Sequence, residues 1–339
     1  HPVFRLLAVL ARWGFGGKRS AAVVALGPDM AERVARRMGS SAGISWVPLW
    51  GTAAEGGDAD AAAVRDLRHA RGWADDTLVV MYSGNMGLGH SFDEVLGVAV
   101  EDSRLMRPYP SGIKFSVSST IGQAPDVRGD DGSHGQDARG TIQKMHLEDH
   151  AEPQVPPGNE EPGCPQGRAL LTKNEITSSS LPIRFVFFGG GKRKPEVEAF
   201  AREHPQAGIE VHGYAPMDIL GAHLRSADVH LASLRPDWSG SMVPSKLQGI
   251  FAAGRPVVFV GDARSSIGRW IAESGGGWVV APGDAAGLRD CLAEAGDPAE
   301  RARRGHAARV FARANFDRSH NTAKLTAQFS TPLCPPAQS

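Results

Sequence analysis

VVMYSGNMGLGHSFDEV, residues 79–95, is an apolar run that breaks into glycines and an asparagine and then restarts with helical spacing. The run reads as a buried strand. Ser91 with Glu94 three residues on has the spacing of a capping box, which would open a helix reaching Val100. Gly84, Gly87 and Gly89 stand between the two, and two readings of them are open. They permit tight turning, or their missing side chains let backbone N–H groups approach a ligand at a helix N-terminus, where phosphate is favoured. The spacing G-x-x-G-x-G is not the dinucleotide fingerprint, and GGGKRK at 189–194 lacks the Ser/Thr and the spacing of a Walker A loop.

The same grammar repeats downstream. IRFVFF (183–188), IEVH (209–212), DVHLA (228–232), PVVFV (256–260) and GWVV (277–280) read as short strands. PEVEAFARE, opened by Pro195, MDILGAHLRS, VPSKLQGIFAAG and SSIGRWIAES read as the helices between them. Short strands alternating with helices imply parallel pairing through crossovers, so the fold class is α/β, a doubly wound parallel sheet with ligands at the carboxyl ends of its strands. Residues 83–90 and 189–194 both fall at such ends. In SGSMVPSKLQG, Pro244 is expected at the first helical position, with the N–H groups of Ser245 and Lys246 facing outward beside a cation. Two anion-ready helix starts at one sheet edge suggest a diphosphate. Upstream, AAVVALG (21–27) reads as a strand, DMAERVARRMG as a helix capped by Asp29 and stopped at Gly39, and ISWVPLW as a further strand.

Composition bounds the rest. Lys plus Arg equals Asp plus Glu at 37 each, so no net field draws the chain to nucleic acid. No apolar stretch approaches the ~20 residues of a membrane span; PVFRLLAVLARW (2–13) is short, carries Arg5 and Arg12, and reads as a packing helix. Cys164, Cys291 and Cys334 are too scattered for a zinc or redox pair, and a reducing compartment fits them. Asp75–Asp76 and Asp130–Asp131 are adjacent pairs rather than the Asp-x-Asp of a metal site, so no metal is expected. Between 101 and 180, glycine, proline and charge replace any apolar period, which reads as a disordered insertion.

Four motifs in register, YSGNMGLGHSFDEVL, RFVFFGGG, IEVHGYAPMDILGAHLRSADVHLASL and VPSKLQGIFAAGRPVV, resemble the C-terminal half of family 4 glycosyltransferases of the GT-B fold. Within that family they look most like the bacterial colanic acid and O-antigen, fucosaminyltransferase-like group. The resemblance covers 78–100 and 181–325, which gives the following layout: 1–55 the remnant of an N-terminal acceptor-side domain that is otherwise truncated, 56–77 a linker, 78–100 with 181–325 the nucleotide-sugar-binding Rossmann-like domain, 101–180 the insertion and 326–339 a tail. It implies a retaining transferase moving a sugar from a nucleotide-diphosphate donor to a polysaccharide or lipid-linked acceptor. It also implies a cytoplasmic protein, compatible with peripheral association at the inner face of the membrane.

Carried over residue by residue, the resemblance puts Gly84, Asn85 and Gly87 in the loop facing the diphosphate and the sugar, with His90 near the sugar and Gly190 and Lys192 after the second strand. His212, Gly213 and Tyr214 fall where relatives pass backbone along the base. Ser245 and Lys246 match the P-S-K signature, and Lys246 takes the catalytic role of stabilising the leaving diphosphate. Its other reading is a solvated surface lysine. Two departures stand against turnover: where relatives usually carry a glutamate before the P-S-K segment and often another in the helix after it, this chain has Ser239 and Gly249. The alternative expectation is therefore a non-catalytic or degenerate nucleotide-sugar-binding protein.

Overall fold

In the computed structural model of the chain, residues 22–41, 43–51, 58–101 and 181–330 are described. The helix expected at 2–13 and the insertion at 102–180 lie outside them.

Strand β1 (Val23–Ala25) leads into helix α1 (Pro28–Met38), and strand β2 (Ile44–Trp46) pairs with β1 in parallel. Helix α2 (Asp58–Ala70) follows. The large sheet then begins with β3 (Leu78–Ser83), helix α3 (Asp93–Glu101), β4 (Ile183–Phe188), helix α4 (Lys194–Glu203) and β5 (Ile209–His212). Helix α5 (Leu220–Ser226), β6 (Val229–Ser233), helix α6 (Lys246–Ala252), β7 (Val257–Val260), helix α7 (Ser266–Ser274) and β8 (Gly277–Val280) complete it. Three helices close the described chain: α8 (Ala285–Ala295), α9 (Pro298–Asn315) and α10 (Arg318–Ser330).

All six strands of the large sheet pair in parallel, in the order β5-β4-β3-β6-β7-β8. Parallel neighbours need crossovers, and helices on both faces explain why these strands read as continuous apolar runs rather than alternating ones. Five of the six residues of β3 and all four of β7 are buried. The direction of winding reverses between β3 and β6, and the crevice outside the carboxyl ends at such a reversal is where open α/β sheets bind ligands. One face packs Leu78, Val80 and Tyr82 under Val95 and Leu96 of α3 and Leu288 and Leu292 of α8. On the other face Val79 and Met81 meet Trp73, and Val257 and Phe259 meet Leu247, Phe251 and Trp270.

Several local expectations are corrected. The segment expected as a linker, 56–77, carries α2, since its Ala, Leu and Arg residues favour helix over coil. Arg68 from that helix donates to Asp228 (3.0 Å) and to the carbonyls of Ser226 and Thr77, so the segment is riveted to the sheet. Ser91 and Glu94 form no capping box: Ser91 Oγ donates to Asp93 (2.9 Å), while Glu94 accepts from the backbone N–H of Gly283 (2.8 Å). Asp29 does not cap α1, whose N-cap is Gly27. Its carboxylate instead accepts from Gly240 N–H (2.9 Å) and from Ser266 Oγ, clamping the N-terminal segment onto the loop before α6 and the start of α7. Pro244 lies one residue outside the N-cap, Ser245, rather than at the first helical position. The tail expected from 326 begins inside α10, where Gln328 accepts a hydrogen bond from Ser45 (3.0 Å) and Asn321 donates to the Pro48 carbonyl (3.2 Å).

Candidate functional site

The loop after β3 is fastened to the loop after β4. Gly84 N–H donates to the Phe188 carbonyl (2.9 Å), Met86 N–H to Gly190 (2.6 Å) and Arg193 N–H to Met86 (2.9 Å). Gly84 (φ +140°) and Gly189 (φ +135°) have the backbone that favours glycine, and a Cβ on Gly189 would overlap the Gly84 carbonyl oxygen. Gly89 likewise leaves room for Trp238, which would stand 3.1 Å from its Cβ, and for Met242. The glycines thus let two loops and a neighbouring turn approach one another. Gly84 has a second neighbour: Lys246, whose Nζ would lie 3.4 Å from a Cβ there.

A cavity of about 460 Å³ opens at this edge of the sheet. Ser83 and Gly84 from the end of β3, Phe188 from β4, Tyr214 after β5 and Ser245 and Lys246 at the start of α6 line it, with Leu49, Trp50 and Gly51 closing one side. Its volume is within the ~300–1,000 Å³ of small-molecule sites, and its make-up, mostly apolar with few polar groups, is theirs also. Gly51 is required where it stands, because a Cβ would come within 2.6 Å of the Gln248 carbonyl.

Lys246 as a residue is half-buried, but its ammonium is wholly covered and has no hydrogen-bond partner among the described residues. Lys246 lines the cavity, and its Nζ lies over the Tyr82 ring, 3.6 Å from its centroid. A cation–π contact offsets only part of the lost hydration. Burial accordingly pushes the Lys246 pKa down to about 7. Tyr82 is held in place by donating its hydroxyl to the Asn85 carbonyl (2.7 Å).

Of the residues singled out from sequence, the structure brings Gly84, Tyr214, Ser245 and Lys246 to the cavity wall. His90 is buried elsewhere, its Nδ1 2.6 Å from the Ser233 carbonyl, and burial pushes its pKa down to about 4. Asn85 packs on Gly87 and Gly191, Gly190 backs the Tyr214 ring, and Lys192 is exposed. His212 stacks on Phe188 with centroids 4.6 Å apart and points Nε2 at Glu210 (3.3 Å), with exposed Gly213 beyond it. From sequence, Ser83 stood out only as part of 83–90, and Phe188 and the 49–51 segment not at all. The signal for the first two was their place as last residues of apolar strands; 49–51 had none without the fold. Among the described residues no group of three His, Cys, Asp or Glu side chains converges as a metal site would.

The described chain has an α/β fold of the GT-B type, with a Rossmann-like parallel sheet of six strands. Residues 170–296 match the family model described as glycosyl transferases group 1. A probable glycosyltransferase, WbjE of Pseudomonas aeruginosa, is 32% identical over 124 residues, 37% of this chain and 30% of that protein. HepE of Anabaena, solved in complex with UDP and glucose, superposes with a TM-score of 0.61 at 11% identity, over 97% of this chain and 66% of its own. WaaG, a glycosyltransferase involved in lipopolysaccharide biosynthesis, gives 0.55 at 13% identity over 91% of this chain and 62% of its own. The chain therefore spans about a third of its curated relative and about two-thirds or less of these structures.

Proposed function

We propose that the cavity takes the nucleoside diphosphate of a sugar donor, and that the chain serves a retaining glycosyltransferase acting on a polysaccharide or lipid-linked acceptor. The observation that carries this is Lys246: an ammonium without a hydrogen-bond partner among the described residues, stowed beside a nucleotide-sized cavity at the carboxyl edge of a doubly wound sheet. Rotation about its terminal torsions would bring it to a phosphate oxygen, exchanging the Tyr82 face for a charge-assisted hydrogen bond. In transfer, that charge would stabilise the diphosphate as it leaves, the kind of preorganised electrostatic help that dominates many active sites. Apolar and aromatic walls at Trp50, Phe188 and Tyr214 suit a base or ribose better than further charge. UDP in the HepE structure and the lipopolysaccharide role of WaaG support the donor class and the acceptor class respectively. The proposal needs no metal, and it places the protein in the cytoplasm, at the membrane's inner face if its acceptor is lipid-linked. Among the described residues no helix is long and apolar enough to cross a membrane.

A second reading, donor binding without turnover, is favoured by two positions. Gly249 lies on the cavity wall with no carboxylate, and Ser239, in the turn before α6, accepts from Arg33 at its carbonyl (2.9 Å), while its buried hydroxyl has no hydrogen-bond partner among the described residues. Calorimetry with UDP, GDP and ADP, with and without a chelator, tests the shared premise. Binding that survives the chelator is expected; no binding, or strict dependence on magnesium, refutes it. Donor turnover with lipid-linked or oligosaccharide acceptors then separates enzyme from binding protein.

A further inference from the structure

Ser83 ends β3 on the face opposite Tyr82 and lines the cavity next to Gly84. Its Oγ is 3.0 Å from Nε2 of His223, a fully buried residue of α5. The other ring nitrogen, Nδ1, is 3.0 Å from Nη2 of Arg71, just past α2. An arginine can only donate, so Nδ1 must be the acceptor and the single proton of the neutral ring sits on Nε2. The guanidinium is fixed: Nη1 donates to Ser226 Oγ (3.1 Å), and its carbon lies 4.6 Å from the Phe188 ring centroid and 4.9 Å from that of Trp73. Ser226 in turn donates to the His223 carbonyl (2.7 Å).

The polarity of the chain is therefore set from one end. Arg71 donates to His223, His223 donates to Ser83, and the Ser83 hydroxyl, having accepted, has its own proton left to give. Among the described residues no acceptor is recorded for that proton, and the open side of Ser83 is the cavity. A serine beside a histidine invites a nucleophile–base reading, but a protonated Nε2 cannot take a proton from Oγ, so this pair is not one.

We propose that Ser83 is a ligand-binding residue of the cavity, its hydroxyl held by Arg71 and His223 as a donor to a phosphate oxygen. Arg71 and His223 are positioning residues. The acceptor follows from what stands beside it: Lys246, once protonated, also offers only donors, so the polar end of the cavity suits a group rich in acceptor oxygens, as a pyrophosphate is. The assignment rests on the diphosphate reading of the cavity.

Two measurements test it. Long-range 1H–15N correlation on histidine-labelled protein at pH 7 should show His223 protonated at Nε2 with Nδ1 bare; the opposite tautomer overturns the relay without reference to any ligand. Calorimetric titration with UDP and GDP should show S83A weakened about 10- to 100-fold, the range for a hydrogen bond to a charged acceptor. R71M should mix the tautomers and lose several-fold in affinity, and R71K, still a donor, should restore both. K246A is the control for the parent reading. Weakening by K246A with S83A unchanged overturns the Ser83 assignment alone. If neither nucleotide binds the wild-type chain, the diphosphate reading fails and takes the acceptor with it.

Discussion

The loop after β3 and the turn before α6 meet at one cavity, and they treat their polar groups in opposite ways. In the first, glycines permit close approach and the N–H groups of Gly84 and Met86 are bonded to the loop after β4. At the end of the second, Lys246, the first residue of α6, has an amino group that no hydrogen bond in the described structure satisfies. A satisfied loop is a wall; an unsatisfied ammonium is a demand for a ligand. Glycine-rich segments draw attention in a sequence, yet here they build the frame, and the buried amino group at the cavity belongs to the single P-S-K lysine.

The interlocked loops are most sensitive at Gly189. Alanine there combines a positive φ with overlap on the Gly84 carbonyl, and we expect a loss of about 3 to 5 kcal/mol by urea unfolding. Wild-type stability would show that the two loops are not interlocked.

The next effect falls on Lys246 and depends on pH. Its folded pKa is near 7 against an ordinary 10.5, so between those values the unfolded chain holds a proton that the folded chain has released, and stability rises with pH. Replacing the ammonium by methionine should therefore stabilise the free protein most below pH 7, on the order of 3 kcal/mol, and progressively less toward pH 10. An equal gain at pH 6 and pH 10 would show that the ammonium is not strained by burial.

The same residue acts on ligand binding. K246A should weaken nucleoside diphosphate binding by about 1.5 to 3 kcal/mol. Binding to the wild type should take up a fraction of a proton at pH 8, read from calorimetry in buffers of different ionisation enthalpy, with affinity falling from pH 7 to 8.5. K246A should lose both the uptake and the slope. Proton release on binding would contradict the stowed pose.

The smallest effect is at Gly87, where a Cβ would meet only the end of the Asn85 side chain, at 3.3 Å. G87A should change stability by no more than ~0.5 kcal/mol and leave nucleotide affinity alone. A large loss of affinity there would return the loop backbone to the ligand.

Strand and helix order were legible because parallel strands buried on both faces leave unbroken apolar runs: IRFVFF and IEVH stand at the expected residues. Lys246 was legible because a cation at a helix start is a local pattern. What was not legible depends on residues far apart in the chain. Arg71, inside a supposed linker, meets His223 across 152 positions, and Asp29 looks like a cap until Gly240 and Ser266 are placed beside it. His90 carries a ring suited to a sugar, yet its Nδ1 is taken by the Ser233 carbonyl.

The place of β3 at the centre of the sheet has a consequence for how the chain comes to be folded. Leu78 pairs with Ile183, 105 residues later, and Val80 pairs with Val229, 149 residues later. Loop closure of that order must precede any reward from pairing, which slows folding. At synthesis rates of about 5–20 residues per second, LVVMY would wait roughly 5 to 20 s after leaving the ribosome before its first neighbour exists. During that interval it is an apolar, uncharged β-former with both edges open, the profile of a segment that associates with other chains. The strand on which the whole site is built is thus also the one most dependent on being shielded while the remainder is made.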